Sequence, residues 1–144
     1  MGLDFSHGGA HWSYSGFMAF RKRLAREIGV DLECMAGFAP PESLIDMSAK
    51  DWDLLGFGIK PERFNMSWNG VNDTLVPLLN HSDCDGSLSA DECCTIAPRL
   101  REIVQRWTDD PEQDQGEAYD KRQALLLADG MEQCAREGRA LEFR

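Results

Sequence analysis

Basic side chains are scarce in this sequence: fifteen Lys and Arg stand against twenty-five Asp and Glu, a formal charge of −10. Such a surface repels phosphate, so nucleic acid is not an expected partner. The one basic cluster, Arg21-Lys22-Arg23, reads as the solvated face of a helix. No apolar run is long enough to span a bilayer, so no membrane-crossing helix is expected. The five cysteines include no C-x-x-C pair, which argues against zinc-ribbon and dithiol frameworks. Their odd number, without a signal-peptide pattern, reads as a reduced chain in the cytoplasm. HExxH, G-x-S-x-G and phosphate-binding glycine loops are missing too, which leaves no familiar catalytic motif.

Apolar material, by contrast, suffices for a packed core. Hydrophobic residues fill 42% of 144 positions, with four Trp among them, which suits a single domain over residues 1–144. Leu3 and Phe5 alternate with Asp4 and Ser6, and Leu141-Glu142-Phe143 repeats the pattern. That period of two predicts short strands, neighbours in one small sheet. Ser13 or Ser15 caps a helix reaching about Ile28, with Phe17, Phe20 and Leu24 inward, and Gly29 closes it. Cys93, Ile96, Ala97, Leu100, Ile103, Val104 and Trp107 recur at the three-to-four spacing of a second helix. A third runs from about Glu117 to Glu137, after an acidic, exposed connection. Residues 30–70 are broken by Pro40, Pro41, Gly56, Gly58 and Pro61 into short pieces. The fold class is α+β, a small single domain with about three main helices packed on a minor sheet formed by the terminal strands.

The densest run of oxygen-bearing side chains is residues 81–92, His81-Ser82-Asp83-Cys84-Asp85-Gly86-Ser87-Leu88-Ser89-Ala90-Asp91-Glu92. It resembles the twelve-residue calcium loop of an EF-hand. Asp83 and Asp85 match ligand positions, Gly86 the turn glycine, Leu88 the aliphatic pairing position and Glu92 the bidentate closing ligand. A short helix over Thr74–Leu79 would supply the incoming arm. His81 stands where the family has aspartate, and imidazole suits zinc, copper or iron better than calcium. The same residues also make sense with no ion: Asp-x-Asp-Gly is a good turn, and Ser89 with Glu92 forms a capping box.

Three readings of function follow. The first is a small cytoplasmic protein that binds a divalent cation, calcium or a transition metal, through Asp83, Asp85, Glu92 and His81. The second is a non-enzymatic protein-interaction module in which the turn is structural, with Trp52 and Trp68 as possible anchors and an unassigned protein partner. The third is a metal-dependent hydrolase in which His7 and His11 converge with His81. The balance leans away from an enzyme. Cys84 lies between two aspartates that disfavour a thiolate, and Cys93 sits on an apolar stripe.

The L-D-F-S-H start, the H-S-D-C-D-G loop and the L-E-F end, here residues 3–7, 81–86 and 141–143, make the whole chain similar to a group of small uncharacterised bacterial proteins. That resemblance implies one domain and a bacterial cytoplasm, and carries no activity with it.

Overall fold

The computed structural model describes residues 2–35, 67–82 and 85–144. The expectations placed on Trp52, Asp83 and Cys84 therefore lie outside the described residues. At the N-terminal end, β1 (Gly2–Asp4) pairs antiparallel with β2 (His11–Ser13), setting Leu3 opposite Trp12. At the C-terminal end, β4 (Leu141–Phe143) pairs antiparallel with β3 (Gly86–Leu88), setting Leu88 opposite Leu141. An isolated bridge between Phe5 and Phe143 joins the two ladders. Beside it the Ser6 amide donates to the Glu142 carbonyl at 2.9 Å, and the Arg144 amide to the Asp4 carbonyl at 2.8 Å. The two ends of the chain are thus neighbours, but each terminal strand is laddered to an inner strand in its own two-stranded sheet and not to the other in the one sheet expected. The inner strands β2 and β3 are not among the expected elements: Ser13 and Gly86 carry cap and turn signals instead of apolar alternation.

The helices begin where capping chemistry puts them. In α1 (Tyr14–Glu27) the Ser13 hydroxyl accepts from the Gly16 amide, satisfying one of the four amides left over at a helix start. Gly29 follows with φ +76. A short α2 (Val76–Leu79) has Pro77 in its first turn, where a missing N–H does no harm. The longer α3 (Ala90–Val104) opens on a reciprocal Ser89–Glu92 capping box. Its predicted stripe from Cys93 through Trp107 is buried throughout. The last helix, α4 (Gln115–Glu137), ends at Gly138 in the left-handed region. It packs along α3 and buries Ala124, Leu127, Ala128, Met131 and Cys134.

The aromatic end of the core lies between the strands and α1. Trp12 stacks on Phe20 with ring centroids 4.6 Å apart, and Phe5 meets Phe143 edge-on at 4.8 Å. Close approach of the first turn to α4 is made possible by glycine. A Cβ on Gly130 would lie 2.4 Å from the His7 carbonyl oxygen, so the turn rests directly on helix backbone. Tyr119 and Gln123 of α4 hold its far side: the Tyr119 hydroxyl donates to the His11 carbonyl at 2.7 Å, and the Gln123 carbonyl accepts the His11 amide at 2.9 Å. Among the described residues no helix is long and apolar enough to cross a membrane.

One expectation is corrected here. Arg21 does not lie on a solvated face; it is fully buried. It falls one turn from Phe17 on the inward stripe of α1, and its guanidinium covers the Phe17 ring at 4.8 Å. Its Nη1 donates to the carbonyls of Leu79, at 3.3 Å, and of His81. A delocalised cation with several donors is suited to that task, since it collects carbonyls left unpaired at a helix end. Lys22 and Arg23 are partly exposed and paired with carboxylates.

Candidate functional site

The EF-hand-like loop is built on two fixed arms. α2 leads into it and α3 leads out, while β3 within it is tied to β4. Leu88 therefore has a pairing partner, as its position in a calcium loop would require, but the partner is the C-terminal strand. Gly86 adopts φ +102, and a Cβ there would come 2.9 Å from the His81 ring carbon Cε1. The imidazole thus lies over the turn glycine, inside the loop. Its Nε2 is 3.0 Å from the Ser87 carbonyl oxygen and its Nδ1 is 2.9 Å from that of Ser82. The opposite support is Phe143, whose ring stacks on it at 4.0 Å with a 30° interplanar angle. Carbonyls only accept, so a neutral ring donates to one of them and a doubly protonated ring to both. The seventh residue of a calcium loop lends its carbonyl to the ion; here that residue is Ser87, and its carbonyl faces the imidazole.

Glu92 is engaged as well. Its Oε1 accepts the Ser89 amide at 2.9 Å, while the Ser89 hydroxyl accepts the Glu92 amide at 3.1 Å. Asp85 is exposed at the loop surface. Arg21 grips the incoming side of the same loop through the His81 carbonyl.

The other two histidines have separate surroundings. His7 Nδ1 lies 2.8 Å from the Ser6 hydroxyl, and its Nε2 is 3.6 Å from Glu137 at the end of α4. His11 Nδ1 is 2.8 Å from Asp4 across the β1–β2 ladder. Among the described residues no group of three or more His, Cys, Asp or Glu is placed to hold a metal ion. Cys93 and Cys134 are buried, and burial pushes the Cys93 thiol up to about 11, the wrong direction for a nucleophile at neutral pH. Burial likewise raises Asp120, against the pull of Trp12 and Arg23. Its carboxylate accepts the Trp12 indole N–H at 3.0 Å and Arg23 Nε–H at 3.3 Å. Trp68 packs partly buried against the core, so it is not a freely presented anchor.

A different feature escaped the sequence reading. Along the outer side of α4 runs a groove of about 490 Å³, with Pro111, Ala118, Tyr119, Arg122, Leu125 and Leu126 in its lining. Asp109 and Asp129 also line it. Among the described residues no histidine, cysteine or serine lines it. The available signal was the run Leu125-Leu126-Leu127. Successive helical residues point about 100° apart, so three leucines in a row cannot all face one core. Leu127 is buried, whereas Leu125 and Leu126 remain half-buried.

No family model matches this chain, and no curated protein or solved structure is similar to it.

Proposed function

We propose that this protein is a non-catalytic interaction module and that its EF-hand-like turn is a structural latch. The observation that carries the reading is the occupation of the loop by its own groups. The His81 ring lies against the Ser82 and Ser87 carbonyls, and Glu92 closes the capping box of α3. A cation in the loop would have to displace the imidazole, recruit Glu92 away from the cap and desolvate Asp85. The groove on α4 supports the binding half of the reading, because its lining joins an aromatic and two leucines. The partner proposed is another protein; the acidic surface disfavours nucleic acid.

The second reading keeps a divalent cation at the loop. It draws support from the framework itself: Gly86 in the left-handed region, Leu88 in a strand and a helix beginning at the loop's end. Calorimetric titration of chelator-treated protein with calcium and then zinc separates the two. The latch reading expects no saturable heat. Stoichiometric heat that disappears in Asp85→Ala would turn the loop back into an ion site.

A further inference from the structure

The geometry points to one kind of occupant for the groove on α4: an amphipathic helix of a partner protein, with an apolar stripe flanked by Lys or Arg. This rests on the interaction reading above and adds the chemistry of the partner. The floor from Gln115 to Asp129 spans fourteen helical steps, roughly 21 Å at 1.5 Å per residue, the length of about four turns of a docked helix. Its apolar groups recur at helical spacing, Ala118 with Tyr119 and then Leu125 with Leu126, so the stripe they offer runs along the axis and suits ridge-into-groove packing. The Tyr119 ring is held in advance by the hydrogen bond from its hydroxyl to the His11 carbonyl, which reduces the ordering needed on binding.

Charge selects the flanks. One wall is the connection before α4, where Asp109, Asp110, Glu112 and Asp114 are all exposed. Asp129, also in the lining, is ion-paired with Arg101 and adds no net charge. Within this wall Lys121 pairs with Asp109 at 3.0 Å and Arg23 with Asp114 at 3.7 Å, which leaves the wall net acidic. Among the described residues Arg122 is the one cation in the lining, exposed and lying over the Tyr119 ring at 5.6 Å. A helix with a basic flank on the side of residues 109–114 meets complementary potential there, whereas anionic lipid headgroups are repelled by it.

The probes are two synthetic fourteen-residue helical peptides sharing one leucine stripe, the first flanked by lysines and the second by glutamates. Each is titrated into the isotope-labelled full chain and followed by NMR. The lysine peptide is expected to bind saturably, with the largest shifts at Tyr119, Leu125 and Leu126. Leu126→Gln should weaken it by about tenfold, as for an anchor at an interface centre. Arg122→Gln changes an exposed side chain, keeps the fold and should tighten binding by about threefold by removing a like charge. Shifts confined to residues 109–114 and indifferent to Leu126→Gln would overturn the inference, reducing it to unspecific charge attraction. If the glutamate peptide takes the groove instead, the basic partner is refuted while the interaction module stands. If neither peptide moves these residues and a concentration-dependent dimer buries them, the occupant is a second copy of the chain and the inference falls.

Discussion

Two glycine-containing turns carry the three histidines of this chain, and they use their imidazoles differently. The first, residues 7–11, is fixed from outside: its backbone rests in the notch left by Gly130, and Tyr119 and Gln123 hold His11 by its main chain. Its imidazoles are left to pair with nearby carboxylates of Glu137 and Asp4. The second, residues 81–92, closes on a side chain of its own, with the His81 ring against the Ser82 and Ser87 carbonyls and Arg21 holding the His81 carbonyl. A histidine beside glycine and aspartate therefore need not announce a metal. What matters is whether the ring nitrogens face other ligands or the backbone that carries them.

The strongest way to break the first turn is Gly130→Ala. Its Cβ would stand 2.4 Å from a backbone oxygen that has no flexible side chain to yield, so a loss of about 2–3 kcal/mol is expected in urea unfolding. For the second turn, Arg21→Met leaves the Leu79 and His81 carbonyls without their buried donor, and a comparable loss of about 2–3 kcal/mol is expected. The two should add, because they act on separate contacts. Non-additivity beyond about 0.5 kcal/mol would mean that the turns are coupled and the contrast between them is false.

A smaller change sharpens the contrast. His81→Asp restores the aspartate of a calcium loop while deleting the ring from the two carbonyls and from Phe143. The account predicts a loss of about 1–2 kcal/mol without ions, part of which calcium returns in the variant and not in the parent. Equal response of parent and variant to calcium would undo the idea that the imidazole stands in for the ion.

Asp120→Asn, the mildest change, acts through pH. Burial holds the folded Asp120 above its ordinary 3.8, so the folded chain takes up this proton before the unfolded one. Stability linked to that proton is full below pH 3.8 and is lost as pH rises through the folded value. Parent stability relative to Asp120→Asn should therefore decline from about pH 4 toward neutrality and then level off. A flat difference between the two stability–pH curves would contradict the buried-carboxylate assignment.

Much of this was legible in the residues. The stripe of α3, the Ser89–Glu92 box, Gly29 and Gly138 as helix stops and the nearness of the chain's ends all follow from local chemistry and periodicity. Arg21 was not legible, because a charged residue on an apolar stripe looks like an error until carbonyls from a distant helix end are seen to converge on it. The position of the His81 ring was likewise hidden: spacing can align a residue with a ligand position but cannot say which way its side chain turns. The groove left only the trace of three consecutive leucines, because periodicity does not tell that the connection at residues 109–111 lies against the helix that follows it.

The central claim, that the loop is latched by its own groups, is tested most directly by thermal unfolding of chelator-treated protein with and without calcium, magnesium, manganese and zinc. An ion at about 100 times its dissociation constant would stabilise by about 2.7 kcal/mol, a rise of roughly 5–10 °C for a chain of this size. The account predicts no rise with any of the four. A rise of that size with calcium or zinc, abolished by Asp85→Ala, would contradict it.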